Sequence, residues 1–434
     1  MNSSRHRVVK FSDLERWDVK YFSASYDSIH PILSLSTFVT EHNEKVKLSD
    51  YPSASFKILG VNNIDGIFHA YDALGSEINQ SYKRVNKFDF AYNPYRINVG
   101  SLGWVTEEHD GAFISPAYVV FSITGENILP QLFWFILKST FFNSSLRAAT
   151  AGSVRMNLTY PLLKTLKIPV PPIHQQRQIL AILDDAFETR RKADELLENL
   201  IIELDEILKS KTNSFREIVS SRYLSAQFGV LSQWDTKGGR AASFITANPD
   251  FIRLGDFTEE GIESVRASDE SEKEWPIYGV NNKTGVFLST MQLGKDFNMS
   301  YKKIEKDYFF HNPTRANVGS LGIVGDVPKD ALTSPEYQVW KLTGGFLPDF
   351  MALLIRTTYF LSLVAFNRVG GVKQRMYYSN LAEIRLPLIE MSVQEDFARR
   401  RTEILAKIDS ANTELAKRKI EIEEMILGTR EVPE

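Results

Sequence analysis

Basic side chains without acidic neighbours are the residues of this 434-residue chain best suited to a specific chemistry. Between Glu126 and Asp184 there is no acidic residue, and the cations of that interval are Lys138, Arg147, Arg155, Lys164, Lys167 and Arg177. Between Asp349 and Glu383 the only charged residues are Arg356, Arg368, Lys373 and Arg375. Such cations are free to contact phosphate, so both intervals predict local nucleic-acid binding. A solvated positive face is the alternative interpretation.

The charge bias occurs twice because the sequence contains an internal duplication. Residues 60–125 align without a gap on residues 279–344 at an offset of 219, and 31 of the 66 pairs are identical. The phrase "NPYRINVGSLG" of the first copy becomes "NPTRANVGSLG" in the second. Weaker matches pair Trp17 with Trp234 and Arg155-Met156 with Arg375-Met376. Each repeat unit is therefore about half the chain.

The predicted DNA contacts are cations of the two intervals, of the repeated phrase and of two basic pairs that follow Ser-Tyr. They are Lys83, Arg84, Arg96, Arg155, Lys302, Lys303, Arg315, Lys373 and Arg375. Identical residues cannot distinguish two different half-sites, so we expect most of "NVGSLG" to be scaffold, with Gly100 and Gly103 in tight turns. Any base contact from the phrase is expected at the positions that differ, namely Tyr95 with Thr314 and Ile97 with Ala316.

Catalytic and metal-binding patterns are not recognisable in the sequence. The seven histidines have no HxxxH or HExxH spacing, and His69 and His109 become Leu288 and Pro328 in the other copy. There is no P-loop, nucleophile elbow or dinucleotide fingerprint. We therefore expect no catalytic residue, no metal and no cofactor in this chain.

Two short motifs resemble parts of enzyme signatures. "NPY" at Asn93 is similar to the base-gripping motif of adenine methyltransferases, but a second proline is missing and the tyrosine becomes Thr314. "WDVK" at Trp17 and "WDTK" at Trp234 contain part of a metal nuclease signature without its earlier acidic partner. A packed tryptophan beside a surface ion pair is the simpler interpretation of the latter.

Composition limits the compartment and the general class of the protein. The net charge is −3, so any basic surface must be local, and the absence of cysteine gives no support for a disulfide framework. The start of the chain lacks an apolar signal segment. The longest apolar run, "QLFWFILKSTFF", contains Lys138 and is too short to cross a bilayer, so it predicts a buried helix. We expect a cytoplasmic protein without a membrane partner.

Each copy has two parts with different sequence patterns. A β-rich part with Gly, Pro and Asn turn signals comes first, and a charged stretch of some 35 residues without Gly or Pro follows it. The first charged stretch carries an apolar heptad stripe, interrupted by Arg190, at Ile179, Leu183, Ala186, Ala193, Leu197, Leu200, Leu204 and Ile207. The second stripe is interrupted by Arg401 and Arg418 and consists of Phe397, Ile404, Ile408, Ala411, Leu415, Ile422 and Met425. Stripes this narrow predict a coiled-coil seam.

These elements predict an α+β fold with two globular target-reading domains, related by a pseudo-twofold axis and separated by a pair of long antiparallel helices. The boundaries are 1–172 for the first domain, 173–217 for the central helix, 218–390 for the second domain and 391–430 for the last helix. At a rise of 1.5 Å per residue each helix would span roughly 50 to 55 Å and act as a stiff spacer. Two similar modules on such a spacer are suited to two half-sites on duplex DNA.

Over essentially its whole length the chain resembles the specificity subunits of type I restriction–modification systems. The resemblance rests on the phrase "NPxRxNVGSLG" in each copy and on "IPVPPIHQQRQILAILDD" at the start of the first long helix. The second copy departs from it, with "LIEMSVQED" in place of "VPPIHQQRQ".

The resemblance implies a non-catalytic subunit that reads a split DNA sequence and docks two methyltransferase subunits on its helices. Those partners would bind S-adenosylmethionine, and separate restriction/translocase subunits would use ATP and Mg. A self-contained adenine methyltransferase and a scaffold that binds protein rather than DNA are the alternatives.

Overall fold

The computed structural model describes residues 28–63, 66–150, 157–231, 234–371 and 373–433. Contacts between residues divide the chain into two compact units. Unit 1 consists of Met1–Thr189 with Asn412–Glu434, and unit 2 consists of Arg190–Ala411. Each unit therefore combines a β-rich part, called its globule below, with segments from both charged stretches.

The globule of unit 1 contains eleven short strands among its described residues. They are β1 Ile32–Ser34, β2 Val39–Glu41, β3 Lys45–Val46, β4 Ser55–Asn62, β5 Gly66–Leu74, β6 Tyr82–Arg84, β7 Phe90–Tyr92, β8 Leu102–Trp104, β9 Phe113–Ile114, β10 Val119–Ile123 and β11 Lys167–Pro169. They form a four-stranded antiparallel sheet in the order β2-β10-β7-β8 and a five-stranded sheet in the order β3-β6-β9-β4-β5. β1 pairs with β11, and β4 with β9 is a parallel pair.

The first four α-helices in the described part of the chain follow β10, and the fourth is long. Their bounds are α1 Pro130–Lys138, α2 Thr140–Thr150, α3 Tyr160–Thr165 and α4 Ile173–Ser210. The predicted buried helix over "QLFWFILKSTFF" is thus two helices that meet at Ser139. The buried Oγ of Ser139 donates to Ile136 O at 2.6 Å and accepts the N–H of Phe142 at 3.2 Å. One side chain therefore ends α1 and helps to start α2.

Unit 2 contains eleven further strands, and six helices begin within it among its described residues. The strands are β12 Ile252–Arg253, β13 Thr258–Glu260, β14 Ser264–Val265, β15 Glu274–Asn281, β16 Gly285–Leu293, β17 Tyr301–Lys303, β18 Phe309–His311, β19 Leu321–Ile323, β20 Leu332–Thr333, β21 Gln338–Leu342 and β22 Arg385–Leu386. The helices are α5 Phe215–Ser220, α6 Thr236–Ala247, α7 Pro348–Leu354, α8 Thr358–Asn367, α9 Tyr378–Ala382 and α10 Met391–Leu427.

The duplicated sequence folds into a duplicated topology. The sheets of unit 2 have the orders β13-β21-β18-β19 and β14-β17-β20-β15-β16, which repeat the orders of unit 1 strand by strand. Even the register shift between Ile58 and Leu59 recurs between Ile277 and Tyr278. The expectation of an α+β fold is confirmed.

Aromatic side chains form the centre of each globule. In unit 1 the ring of Phe90 stacks on Phe121 with centroids 5.5 Å apart and meets the edge of Phe133 at 5.3 Å. At the equivalent place in unit 2, Phe309 stacks on Trp340 at 4.5 Å. All of these side chains are fully buried. Such pairs contribute about 0.5–1.5 kcal/mol each beyond the burial of their surface.

The long helices join the hydrophobic cores of the globules. In unit 1, Ile179 and Leu183 of α4 share one buried cluster with Ile422 and Met425 of α10 and with the globule. In unit 2 the cluster around Trp340 also contains seam residues of both helices, which are Leu197, Leu200, Leu204, Ile207, Phe397, Ile404 and Ile408. Of the other predicted seam residues in unit 1, Ala186 is buried and Leu415 is half-buried. The ends of the long helices are therefore built into the globules.

The arginines that interrupt the two stripes are paired with acids. In unit 2, Arg401 binds Asp349 and Arg190 binds Asp194. In unit 1, Arg418 binds Glu414 at 2.7 Å and Glu421 at 2.9 Å. The half-buried charges at these stripe positions are therefore compensated.

A glutamine in the first turn of each long helix ties that helix to its globule. Gln176 accepts the N–H of Leu129 at 2.9 Å and donates to the carbonyls of Asn127 and Pro171 at 2.8 and 2.7 Å. In unit 2, Gln394 accepts the N–H of Leu347 at 3.0 Å and donates to two carbonyls at 3.0 Å. Both glutamines are completely buried. The second copy thus keeps this residue although the sequence around it differs.

A carboxylate near the end of each long helix caps a short helix of the globule. In unit 2, Asp205 accepts the N–H of Tyr359 at 2.7 Å and the hydroxyl of Thr358 at 2.8 Å, at the start of α8. In unit 1, Glu423 accepts the N–H of Thr140 at 2.9 Å and also its hydroxyl, at the start of α2. Such caps typically contribute about 1 kcal/mol.

No single described helix is both long and apolar enough to cross a membrane. The pair formed by α7 and α8 reaches that composition only when its members are taken together, and the two helices meet at an angle of 76°. Their large side chains belong to the core of unit 2.

Replacing Gln394 with alanine is expected to destabilise unit 2 by about 3 kcal/mol or more. The change removes the hydrogen bonds of Gln394 to the N–H of Leu347 and to the carbonyls of Gly345 and Ile389, and each lost hydrogen bond costs about 1 kcal/mol or more. Hydrogen exchange by mass spectrometry on peptides of unit 2 measures the loss. The control is Glu395→Ala at the next, exposed position of α10. Equal protection in the two variants would contradict this role.

Candidate nucleic-acid interface

The repeated phrase follows the end of a central strand in each unit and begins with a turn. In unit 1 the side-chain oxygen of Asn93 accepts the N–H of Tyr95 at 3.0 Å. In unit 2, Asn312 accepts the N–H of Thr314 at the same distance. An asparagine side chain that accepts a backbone N–H two residues later stabilises such a turn. The "NP" of both copies is thus explained by local structure.

The glycines of the phrase allow the backbone to turn and to pack closely. Gly100 and Gly319 have φ of 87° and 89°, in the left-handed region that favours glycine. Gly103 was expected in a turn, but it lies in β8. A Cβ there would come within 2.4 Å of Ile67 Cγ1. The phrase is therefore packed against the start of β5.

A cation at or just after the end of a short helix donates hydrogen bonds to backbone carbonyls in or near the phrase. In unit 1, Lys138 donates to the carbonyls of Gly100 and Leu102 at 3.4 and 3.1 Å, and burial lowers its pKa. In unit 2, Arg356 donates to the carbonyl of Asn282 at 3.3 Å, and burial lowers its pKa. Lys138 and Arg356, which belong to the acid-free intervals, thus already donate hydrogen bonds within the protein.

A side chain at the end of the central strand fixes the segment that follows the short helices. Tyr92 donates to the carbonyl of Leu158 at 3.0 Å in unit 1, and His311 donates through Nε2 to Met376 O at 2.8 Å in unit 2. Leu158 therefore corresponds to Met376. The sequence pairing of Arg155-Met156 with Arg375-Met376 is wrong by two residues, because few identities guided it there.

The two arginines of the phrase are exposed at equivalent positions. Arg96 precedes the short helical turn Ile97–Val99 and Arg315 precedes Ala316–Val318. Neither side chain forms a hydrogen bond or ion pair with another residue that the structure describes. Both guanidinium groups are free to contact a phosphate.

The two positions at which the phrases differ contrast in burial, because one is exposed in both units and the other is buried in both. Tyr95 is 59% exposed, and its counterpart Thr314 is exposed as well. Ile97 and Ala316 are 3% and 0% exposed and lie in the cores of their units. The expectation that Ile97 and Ala316 could contact bases is therefore wrong, because the short helical turn directs them inward.

The lysines and arginine of the two predicted basic pairs differ in burial and in their internal partners, and so in whether they are available to contact DNA. Lys83 is buried and donates to the carbonyl of Tyr118 at 3.0 Å, and burial lowers its pKa. Its neighbour Arg84 is exposed. In unit 2, Lys302 is half-buried, and Lys303 pairs with Glu305 at 2.8 Å and Glu263 at 3.3 Å. Lys83 and Lys303 thus already have internal partners.

The remaining predicted cations of unit 2 lie on one turn. Lys373 is exposed, and Arg375 pairs through its backbone with Val369 and contacts the Tyr377 hydroxyl at 3.3 Å. That contact raises the pKa of Arg375. Arg368 donates to the carbonyls of Thr314 and Gln374 at 3.2 and 2.6 Å, which connects the turn to the phrase. Arg155 lies outside the described residues.

The tryptophan motif of unit 2 has a structural function at a helix end. Asp235 accepts the N–H groups of Lys237 and Gly238 at 3.0 and 2.7 Å and so caps α6. Trp234 is 82% exposed and touches Phe228, so the expectation of a packed tryptophan beside an ion pair is wrong here. Trp17 lies outside the described residues. In the part of the chain that is described, no three metal-binding side chains form a group suited to a metal ion.

Comparison with known proteins gives a match for part of the chain. Residues 71–203 match the family model described as the type I restriction modification DNA specificity domain. No curated protein matches the chain.

Solved structures with some likeness belong to the same class of system. The HsdS subunit from Thermoanaerobacter tengcongensis is 15% identical with a TM-score of 0.35, and 92% of this chain and 96% of that one are covered. The type I S subunit from M. genitalium is 13% identical with a TM-score of 0.37, covering 94% and 97%. A structure reported for complex assembly of the type I R-M system is 14% identical with a TM-score of 0.37, covering 94% and 100%.

The stability of unit 2 is expected to fall by about 2 kcal/mol between pH 7 and pH 5. Burial lowers the pKa of His311 from 6.5 to about 4, so the folded unit keeps it neutral while the unfolded chain takes up a proton below about pH 6.5. Its contribution is complete above that pH and is lost as the pH falls toward 4.

Hydrogen exchange of unit 2 peptides at both pH values measures this loss. His311→Tyr, which installs the residue of the equivalent position in unit 1, should reduce the difference between the two pH values. An unchanged difference in the variant would show that His311 is not its source.

Proposed function

We propose that this chain, which carries a type I restriction–modification DNA specificity domain over residues 71–203, reads a bipartite DNA site with one globule for each half. The family match carries the proposal. The geometry supports it, because each unit exposes an arginine at the same position of the repeated phrase, Arg96 or Arg315, and neither side chain has a partner among the described residues. Cations of this kind position a protein on the phosphate backbone, and sequence is read elsewhere.

Base recognition is assigned to exposed side chains that differ between the copies. Tyr95 and Thr314 are such a pair, since each follows the proline of its phrase and is exposed. The scaffold around them is the same in both units, so a change at this position alters the reading surface without altering the fold. Arg84, Lys373 and Arg375 complete the proposed contacts.

The proposed architecture is two target-recognition domains, 1–172 and 218–390, joined by helices that pair antiparallel about a pseudo-twofold axis. The order of the segments supports the pairing. The start of α4 shares a cluster with the end of α10 in unit 1, and later residues of α4 share a cluster with the first part of α10 in unit 2. Helices arranged in this way would set the gap between half-sites.

The partners are proposed to supply the chemistry. Two methyltransferase subunits would dock on the long helices and bind S-adenosylmethionine, and restriction/translocase subunits would use ATP and Mg. The chain itself would be a non-catalytic subunit that acts in the cytoplasm. Exposed apolar residues of the helices, such as Phe187 and Ile420 in unit 1 and Ile202 in unit 2, are suited to such docking.

Replacing Arg96 and Arg315 with glutamine is expected to weaken duplex binding and to reduce the salt dependence. Each lost phosphate contact should reduce the slope of log affinity against log salt by about 0.9. Fluorescence anisotropy with a duplex measures both quantities. Arg399→Gln is the control, since Arg399 is held by Asp396 and Glu403 on α10. Unchanged affinity and slope in the double variant would favour a protein-binding scaffold.

The purified chain alone is expected to transfer no methyl group to duplex DNA. The reason is that adenine methylation is assigned to the partner subunits. Labelled S-adenosylmethionine and a pool of random duplexes provide the assay, and the complex with methyltransferase subunits is the positive control. Methylation by the chain alone would mean that it is a self-contained methyltransferase.

A further inference from the structure

Three cations of unit 2 form a group that the repeated phrase does not contain. Lys237 and Arg240 lie one turn apart on α6, and Arg368 follows the last residue of α8. Residues i and i+3 of a helix are neighbours on one face. α6 and α8 contact each other, and Arg368 is close enough to act electrostatically on Lys237. Burial, and then the charge of Arg368, lower the pKa of Lys237.

Within the described part of the chain the group has an excess of positive charge, and Asp235 is the acid that acts electrostatically on Lys237. Lys237 Nζ, Arg240 Nε and Arg368 Nε are almost inaccessible to solvent and have no hydrogen-bond partner there. The carboxylate of Asp235 lies nearby, but it accepts the N–H groups of Lys237 and Gly238 as the cap of α6. Partly buried cations that lack an anionic partner are unfavourable, and binding an anion relieves that cost.

We propose that Lys237, Arg240 and Arg368 form a binding site for phosphate groups of the DNA backbone, an inference that rests on the proposed DNA recognition. Lysine and arginine are the side chains most suited to phosphate. Lys237 and Arg240 lie on α6, Arg368 follows α8, and the two helices are packed together, so the backbone positions of the three cations are set before DNA arrives. The side chains of Lys237 and Arg240 can then turn toward a phosphate, because neither makes a hydrogen bond to another residue that the structure describes.

Continuity with the phrase favours DNA over an acidic protein surface as the occupant. Arg368 Nη2 donates to the carbonyl of Thr314, and the next residue is the exposed Arg315. Arg368 also donates to Gln374 beside the exposed Lys373. A strand that contacts Arg315 can therefore continue over Arg368 to α6.

The arginine of this group is found in the second copy and not at the equivalent position of the first. Ser139 and Thr357 make equivalent hydrogen bonds at the start of α2 and α8, which places Thr150 opposite Arg368 in the alignment. The first copy thus has an uncharged residue at this point. The two units are expected to make different numbers of backbone contacts.

The test compares the salt dependence of duplex binding for two double variants of the full chain. Lys237→Gln with Arg240→Gln removes two cations without an internal hydrogen bond, so folding should be unaffected, and the slope of log affinity against log salt should shrink by about 1.8. Lys306→Gln with Lys341→Gln removes the same charge from lysines that pair with Asp326 and Glu259. The control slope should equal that of the wild type. Lys237→Gln and Arg240→Gln alone should each give about half the effect if the double variant does not fold.

The outcomes separate this inference from the function on which it rests. A wild-type slope in Lys237→Gln with Arg240→Gln, while Arg96 and Arg315 variants lose affinity, would overturn the phosphate site and leave DNA recognition intact. A wild-type slope combined with loss of a methyltransferase subunit from the complex would assign the cations to an acidic protein surface and overturn the proposal. A wild-type chain that binds no duplex even in the complex would overturn the proposed function itself.

Discussion

Gln176 and Gln394, whose side chains are completely buried, each hold the first turn of a long helix against a globule through three hydrogen bonds. A glutamine amide suits this place because it accepts with oxygen and donates twice with nitrogen, so one side chain satisfies an N–H and two carbonyls. Loss of these contacts would leave a fully buried amide without hydrogen-bond partners, which is unfavourable. These hydrogen bonds fix the direction in which each helix leaves its globule. The clusters shared by helix and globule depend on that direction, as do the caps made by Asp205 and Glu423 and the proposed spacing of the reading surfaces.

The duplication preserves this scaffold and varies what lies on it. The stacked aromatic pair, the asparagine turn, the left-handed glycine and the buried glutamine recur in both units. Among the differences, His311 makes the hydrogen bond that Tyr92 makes, so the interior tolerates a change of chemistry when the contact is kept. Tyr95 and Thr314 differ on the surface, and Arg368 has no charged counterpart. Recognition of two different sequences by two similar domains, as proposed, requires a common scaffold with variable surface residues.

The repeat and the change in periodicity were sufficient to predict the α+β class and the two long helices. A 66-residue identity pattern and heptads over some 35 residues are strong signals, because they sum many weak preferences. The positions of single side chains were not predictable in the same way. Lys83 and Ile97 point inward because their short strand and helical turn are covered on one side, and the sequence of three residues does not specify which side that is.

Long-range contacts account for the other differences from prediction. Asp205 was an unremarked acid in a charged stretch, yet it caps a helix 153 residues away. Gln176 lies in a motif that the resemblance identified, whereas Gln394 lies in one that departs from it, and only the hydrogen bonds reveal their equivalence. Lys237 and Arg240 lie outside the intervals without acids, because Asp235 precedes them closely. Its carboxylate is occupied by the backbone of α6, which a charge count does not register.

The central claim is that one chain reads two separate half-sites. Selection of bound sequences from a pool of random duplexes, by the chain assembled with methyltransferase subunits, tests it most directly. We predict two short conserved blocks separated by an unconserved gap of fixed length, with exchange of Tyr95 or Thr314 altering one block and leaving the other unchanged. A single continuous block, or no enrichment at all, would contradict the account.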